Sequence, residues 1–590
     1  MKVQKRDGRI VDFQREHIIN AIHKAMAETL SGIDETISHR ITEFIEEQVK
    51  NDGGLKSVEQ IQDLVEEQLM ASDRKDAAKK YILYRKQRNL TRASRGKYRL
   101  LTDDFLAKYK HGPTGMNPLG EFVYYRTYSR WLPQEKRREY WWETVARAVD
   151  YNCTLVEGTS KEEAEKLYES VFSLKQFLSG RTLWLGGTDI SNEYGTGNYN
   201  CAFCVIDDFK KFTELFYLLM IGTGVGFRVL KTDVEKLPAI RTGVRVIHEY
   251  YRPLPANERQ DNTALNFDGD TAMITVGDSK EGWTQALDFF LEILYSHSYQ
   301  KIAKIVLNYN HVRPKGERLK RFGGTASGHE SLKVMFEKIT SVLERLGVEE
   351  GKSKCRLRPI HCLDICNIIG ENVVVGGVRR TAEVGIIDAD DDECIQAKSQ
   401  LYYMNEQNQW VENKTISHRK LSNNSIFYET KPTRQQLHWQ IAQMKLSGEP
   451  GFINAQAARK RRADFEGVNP CAEILLRDRG LCNLTTLNVA AFVKDGMLDL
   501  EGLLEAQRLS VRAGVRMTCL ELELHEWDRV QKKDRLLGVS LTGWQDAVSS
   551  LEYSTDEEAA LLQKLRDAAH TEARRYADEL GIPQPLLICT

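Results

Sequence analysis

Asn469-Pro470-Cys471-Ala472-Glu473, followed by Leu481-Cys482-Asn483-Leu484, is the stretch on which the reading of this chain turns. Taken as an extended segment, it puts side chains two apart on one face, so Asn469, Cys471 and Glu473 point together. Amide, thiol and carboxylate then converge. A carboxylate within reach of a substrate hydroxyl acts as a base, an amide orients that substrate, and a thiol supplies nucleophilic, redox or radical chemistry. Cysteine is also a common small buried hydrophobe, and Cys471 taken alone reads that way.

Outward from this stretch, helical patterns at 141–151, 161–177 and 332–346 alternate with short apolar runs that end in glycine-rich turns. The turns are Gly180 to Trp184, Gly222 to Phe227, Phe322 to Gly328 and Val375 to Arg380. Such alternation predicts an α/β domain. Any single glycine of these runs reads first as permission for positive φ or close packing. The Gly222 run lacks the G-x-G-x-x-G spacing of a dinucleotide fold, and no G-x-x-x-x-G-K-[ST] occurs, which argues against nicotinamide and P-loop enzymes.

The 590 residues, 41% hydrophobic and 28% charged, suffice for a large core and several domains. Lys plus Arg number 83 against 84 Asp plus Glu, so nothing in the overall charge attracts nucleic acid or an anionic membrane, and neither is expected as a partner. No apolar run is long enough to cross a bilayer, and MKVQKRDGRI lacks the apolar core of a signal peptide; the cytoplasm is the expected compartment. The eleven cysteines are scattered and are expected as free thiols. Cys201-Ala-Phe-Cys204 and His361-Cys362 with Cys366 lack the second pair that zinc spacing requires, so no metal site is expected.

Val3 to Val11 alternates around Asp7-Gly8, the signal of a tight hairpin. Helical spacing follows at Ile18, Ala21, Ile22 and Ala25, and again at Ile41, Phe44, Ile45 and Val49. After Asp52-Gly53-Gly54, Ser57 is placed to cap a third helix, with Glu59 and Gln60 in its first turn. With Lys5-Arg6-Asp7-Gly8 in the hairpin, Leu55-Lys56-Ser57 before a helix and Tyr84-Arg85-Lys86 at the end, this arrangement closely resembles the ATP-cone, a small α+β domain that senses ATP and dATP. The resemblance covers residues 1–92 and implies a nucleotide site at Lys5, Arg6, Val11, Asp12, Phe13, Gln14, Arg15, Glu16, His17, Ser57 and Lys86. Cationic side chains and a helix N-terminus suit phosphate, although a Lys-Arg pair in a hairpin reads equally as a solvated face. Residues 93–110 are expected as a linker and 111–590 as the catalytic domain.

N-x-C-x-E with a further cysteine eleven residues on, at Cys482, resembles the active site of ribonucleotide reductases. Further motifs fall in order across residues 110–590, among them Asn200-Cys201 with Phe203, Gly277-Asp278-Ser279 with Glu281-Gly282-Trp283, Asp364 with Cys366-Asn367, and Gly538 to Gly543. Together they resemble the vitamin B12-dependent ribonucleoside-triphosphate reductases. The resemblance implies a ten-stranded α/β barrel in two five-stranded halves, with Cys471 on an inner finger loop. It implies reduction of ribonucleoside triphosphates to 2'-deoxyribonucleoside triphosphates by thiyl-radical chemistry that adenosylcobalamin initiates. Cys471 would carry the radical, Glu473 would be the base at the 3'-hydroxyl, and Asn469 would hold the sugar hydroxyls. Cys201 with Cys482 would protonate the leaving 2'-hydroxyl and become a disulfide, with Cys204 a rival for Cys201. Gly376, Gly377, Arg379 and Arg380 resemble the loop that links a bound effector to the substrate base; the arginines read equally as a solvated pair. The implied partners are the substrate, ATP or dATP and other deoxynucleotide effectors, and a thioredoxin-like or dithiol reductant.

In the family a phosphate-binding Pro-x-Gly-Thr segment follows the region resembling Pro583 to Thr590, with redox-active tail cysteines later. This chain contains no Pro-x-Gly-Thr and no cysteine pair after Cys482 that could serve as a tail shuttle. The expectation is a barrel without its C-terminal part and a second polypeptide that carries it. Two other readings stand beside this one: a catalytically incomplete nucleotide-sensing subunit of a split reductase, and the large subunit of an iron-dependent ribonucleoside-diphosphate reductase. The eleven-residue cysteine spacing favours cobalamin over iron.

Overall fold

The computed structural model describes residues 2–4, 10–27, 29, 32–51, 55–82, 100–110, 112–132, 135–318, 325–375, 378–379 and 381–589. It divides into two compact units, Met1–Arg99 and Leu100–Thr590.

In the smaller unit, strands Lys2–Gln4 and Ile10–Asp12 pair antiparallel with Val3 opposite Val11, and Leu55–Ser57 adds parallel to the first. The helices are Arg15–Ala27, Glu35–Asn51 and Val58–Ala71. Their apolar stripes close one core in which Ile22, Met26, Ile45 and Val49 are wholly buried, as helical spacing requires. Ser57 caps the third helix as its position predicts. Its hydroxyl accepts from the Gln60 N–H at 3.2 Å, and its own N–H donates to Gln60 Oε1 at 2.9 Å, so two orphan donors of the helix start are satisfied.

The larger unit is built on one nine-stranded sheet. Its strands in chain order are β1 Gln176–Phe177, β2 Cys201–Val205, β3 Gly224–Arg228, β4 Glu383–Asp388, β5 Ser422–Tyr428, β6 Gly451–Asn454, β7 Gly480–Asn488, β8 Leu537–Thr542 and β9 Ile588–Cys589. The spatial order is β6-β5-β4-β3-β2-β7-β8-β9, with β1 beside the far half of β7. From β6 to β2 every pairing is parallel, which makes one five-stranded half. β7, β8 and β9 are also parallel to one another. The two groups meet at β2 and β7, which run antiparallel. That seam decides the chemistry.

β2, Cys-Ala-Phe-Cys-Val, is buried along its whole length and β3 along all but its last residue, because both faces of the sheet are covered there. On the outer face, helices Lys210–Met220, Lys280–Tyr295 and Pro359–Asn372 pack against Ala202, Cys204, Val225 and Phe227. On the inner face, Phe203, Val205, Val384, Ile386, Phe427 and Cys482 form a separate core. A smaller four-stranded sheet of 245–248, 264–268, 271–275 and 304–308 stands apart from the barrel sheet.

Candidate active site

Residues 469–473 are not extended. Gly467–Val468 and Leu475–Leu476 pair antiparallel, and the residues between them form the tip of a short hairpin. Ala472 adopts φ 65°, and its N–H donates to the Asn469 carbonyl at 2.8 Å. The Asn469 side chain closes the other side of the turn, its Oδ1 accepting from the Ile474 N–H at 2.9 Å. The strand alternation that brought Asn469, Cys471 and Glu473 to one face is therefore corrected. A turn holds them close, with Asn469 and Pro470 buried and Cys471, Ala472 and Glu473 exposed.

The hairpin lies on the inner face of the sheet. Val468, Ile474 and Leu476 join the core that Phe203, Ile386 and Cys482 line. Glycines make that approach possible: a Cβ at Gly226 would collide with the Val468 carbonyl, and one at Gly467 with the Phe203 ring. The glycine run at 222–226 thus serves close packing of two backbones.

Below the tip, Cys201 and Cys482 are directly opposed across the antiparallel seam. Opposed residues of such a pair have Cα atoms about 4.5–5.5 Å apart, inside the range a disulfide spans. Both are free thiols, 9% and 1% exposed. Cys204, the rival for Cys201, lies three residues along the same strand and so faces the opposite side, in the outer core with Ala202 and Val225. Burial pushes its thiol far above the ordinary range.

Asn469 ties the hairpin to the thiol pair, its Nδ2 donating to Cys201 Sγ at 3.4 Å. Burial pushes the Cys201 thiol up to about 11; the Asn469 bond opposes this, Glu473 and Cys471 reinforce it, and Arg181 opposes it. Cys471 is raised too, by its partial burial and by the Glu473 carboxylate. Both sulfurs therefore keep their hydrogens at neutral pH, which suits transfer of a hydrogen atom or a proton rather than attack by a thiolate. The Cys482 Sγ donates to the Asn483 carbonyl at 3.1 Å.

Arg181 was not singled out from sequence. It belongs to the helix Gly180–Leu185, and its guanidinium lies so close to Gly222 that a Cβ there would stand 2.8 Å from it. No local sequence signal led to it, since its approach to Gly222, at φ 86°, exists only in the fold.

Of the expected nucleotide contacts in the smaller unit, Lys5, Arg6 and Lys86 lie outside the described residues, and Val11 is placed only as a strand residue. Asp12 pairs with Lys2 at 2.8 Å, and Arg15 with Glu46 at 2.9 Å and Glu43 at 3.2 Å. Phe13 packs against the unit's core, while Gln14, Glu16 and His17 are exposed. Gly376, Gly377 and Arg380 also lie outside the described residues, and Arg379 is placed opposite Val374 in a two-residue strand pair.

Fold and site together define a class: α/β-barrel enzymes in which a cysteine on an inner hairpin stands near a second pair of thiols. Comparison with known proteins makes this particular. The Ribonucleotide reductase alpha domain matches residues 101–188, the Ribonucleotide reductase barrel domain 298–581, the insertion domain of B12-dependent ribonucleotide reductase 251–343, and the ATP cone domain 1–90. An adenosylcobalamin-dependent ribonucleoside-triphosphate reductase of Lactobacillus acidophilus is 29% identical over 560 residues, covering 82% of this chain and 72% of that protein. The one of Lactobacillus leichmannii is 30% identical over 480 residues, covering 72% and 61%. A crystal structure of a B12-dependent (class II) ribonucleotide reductase superposes with TM-score 0.71 at 26% identity, covering 83% of this chain and 75% of that one. The chain belongs to the B12-dependent ribonucleotide reductase family. It spans 61% to 72% of the length of these two curated relatives.

Proposed function

We propose that this protein reduces ribonucleoside triphosphates to 2'-deoxyribonucleoside triphosphates, with Cys471 as the radical-bearing thiol. The observation that carries the reading is the seam: Cys201 and Cys482 in direct register, with Asn469 bonding Cys201 from the hairpin that presents Cys471. The names of the relatives support the substrate and the cofactor. Adenosylcobalamin, when bound, supplies an organic radical able to take the hydrogen of a thiol. Cys471, Ala472 and Glu473 fit that role as the exposed face of the hairpin tip and are the residues that would meet it.

The chain's own residues do the rest. Cys471 removes the ribose 3'-hydrogen, and Glu473 accepts the 3'-hydroxyl proton. Cys201 and Cys482 give two hydrogens and two electrons: the 2'-carbon–oxygen bond breaks, water leaves and a disulfide forms. Cys471 then returns its hydrogen to the 3'-carbon, and Glu473 returns its proton to the 3'-oxygen. Asn469 orients both the Cys201 thiol and the sugar hydroxyls. A small dithiol or a thioredoxin-like protein restores the two thiols.

Residues 1–92 act as the ATP-cone, binding ATP or dATP around Lys5, Arg6, 11–17, Ser57 and Lys86; the linker that begins at 93 is shorter than the expected 93–110, because Leu101, Phe105 and Leu106 are buried in one core with Trp141 and Val145, and the catalytic domain starts at Leu100 rather than at 111. The loop with Gly376, Gly377, Arg379 and Arg380 relays the effector to the substrate base. β9 is the short edge of the sheet among the described residues, and further strands laid beside it bring the barrel toward ten. A second polypeptide is one carrier for them. The cytoplasm is the compartment; among the described residues no helix is long and apolar enough to cross a membrane.

A single turnover without external reductant should leave Cys201 joined to Cys482, as found by peptide mapping. Joining of Cys204 to Cys482 would overturn the thiol assignment.

A further inference from the structure

Gly222-Thr223-Gly224-Val225-Gly226 leads into β3, and each of its three glycines makes room for a group from elsewhere in the chain. A Cβ at Gly226 would strike the Val468 carbonyl, and one at Gly224 would stand 3.1 Å from the Pro470 ring. One at Gly222 would stand 2.8 Å and 3.0 Å from the two terminal nitrogens of Arg181. The first two groups belong to the hairpin that presents Cys471. The third is a full positive charge, brought by the second residue of helix Gly180–Leu185.

Two residues of chain span no more than about 7 Å, so the guanidinium at Gly222 lies within a nucleotide's length of whatever meets Gly224. Gly224 is opposite Cys201 in the parallel pair of β2 and β3, and its N–H donates to the Asn200 carbonyl at 3.1 Å. Between the two glycines the Thr223 hydroxyl donates to the Tyr199 carbonyl at 3.2 Å, which ties the turn to the approach of Cys201. One short turn thus carries Arg181 at one end and the thiol seam with the hairpin tip at the other. The charges agree: Arg181 favours the Cys201 thiolate while Glu473 and Cys471 oppose it, so all three act on one sulfur.

With the ribose 2'-hydroxyl at Cys201 and the 3'-hydrogen at Cys471, the base and the 5'-phosphates are left to be held. Of these the phosphates carry the negative charge. A guanidinium is ionised at any working pH, and its planar fork matches two phosphate oxygens at once. Arg181 is half-buried, and its guanidinium carbon lies 6.0 Å from the centroid of the Trp184 ring on its own helix, a contact that steadies the cation without neutralising it.

We propose that Arg181 binds substrate, its guanidinium taking phosphate oxygens of the ribonucleotide whose ribose lies between Cys201 and Cys471. The inference rests on placing that ribose at the thiol seam. It makes the helical region before the barrel, and not the barrel alone, a wall of the substrate site.

The test uses the full prereduced chain and the rate at which iodoacetamide alkylates Cys471, read by peptide mass spectrometry against the concentration of CTP. CTP should slow the reaction in the wild type by covering the hairpin tip. In Arg181→Met the CTP concentration that halves the rate should rise at least about tenfold, as the loss of one charged hydrogen-bond partner requires. Arg181→Lys, which keeps the charge without the fork, should fall between the two. Cytidine, which has no phosphate, should protect wild type and Arg181→Met to the same extent, and Cys201 should react no faster in either variant than in the wild type. Faster alkylation of Cys201, or a loss of cytidine protection as large as that of CTP, would make Arg181 a support of the seam and overturn the proposal. So would a lysine variant no better than the methionine one. Equal protection of wild type and Arg181→Met by CTP defeats the phosphate contact alone, whereas a wild-type Cys471 that millimolar CTP leaves unprotected defeats the substrate reading of the site as well.

Discussion

Cys201 keeps its proton because it is buried at the seam, and that fixes how it should titrate. With its thiol at about 11, alkylation of Cys201 should climb roughly tenfold per pH unit well past the point at which an ordinary cysteine, about 8.5, levels off. Asn469→Ala removes a bond that favours the thiolate, so the curve should move to still higher pH, with Cys471, which is exposed, reacting before Cys201 in both proteins. A Cys201 curve that levels near 8.5, read by mass spectrometry against pH, would contradict this environment. The choice between Cys201 and Cys204 was open in the sequence as a motif preference. The geometry behind it was also there, since an offset of three in a strand reverses the face, but only once Cys201 to Val205 is known to be a strand. Arg181 was not legible, because nothing local links residue 181 to residue 201 before helix Gly180–Leu185 packs against Gly222.

The hairpin Gly467–Leu476 is the element that sequence periodicity misread. Alternation of Asn469, Cys471 and Glu473 looks like a strand, yet Pro470 and the left-handed Ala472 turn the chain there, and the Asn469 side chain saturates the turn. That the three residues sit close together follows from their spacing; the shared face did not hold, since Asn469 is buried while Cys471 and Glu473 are exposed. The glycines of β3 carry the matching constraint. Gly226→Ala pushes a methyl into the Val468 carbonyl, so the hairpin must shift or the strand must bend. Overpacking of this kind costs about 1–3 kcal/mol of stability, and a displacement near 1 Å at the reacting thiol costs about 100-fold in rate. Denaturant unfolding and single-turnover product formation measure the two, and a Gly226→Ala protein unchanged in both would show that the hairpin does not depend on that approach. The helices were easier to read: Glu330–Glu350 and Trp141–Cys153 follow from apolar spacing alone, and Gly351 in a left-handed conformation ends the first.

At the scale of the molecule, residues 100–590 behave as one body because helix Leu500–Met517 is shared between the helical region before the barrel and the barrel itself. Its Arg516, wholly buried, bonds Tyr576 Oη at 3.0 Å, Asn152 Oδ1 at 3.3 Å and the Glu163 carboxylate. A buried guanidinium is tolerated only when so many acceptors meet it. Partners up to 364 residues away in sequence leave no local trace, so this joint was invisible until the fold was known. What the two periods of apolar spacing made visible was an α/β domain following a small α+β unit; the barrel came only from the family resemblance that the ordered motifs carry. The central claim is that Cys471 carries the radical chemistry. Its most direct test is single-turnover formation of 2'-deoxyribonucleoside triphosphate by prereduced protein given adenosylcobalamin and a ribonucleoside triphosphate, compared with Cys471→Ser. The account predicts cofactor-dependent product from the wild-type chain and none from Cys471→Ser, with nucleotide binding retained in both; equal product from Cys471→Ser would contradict it.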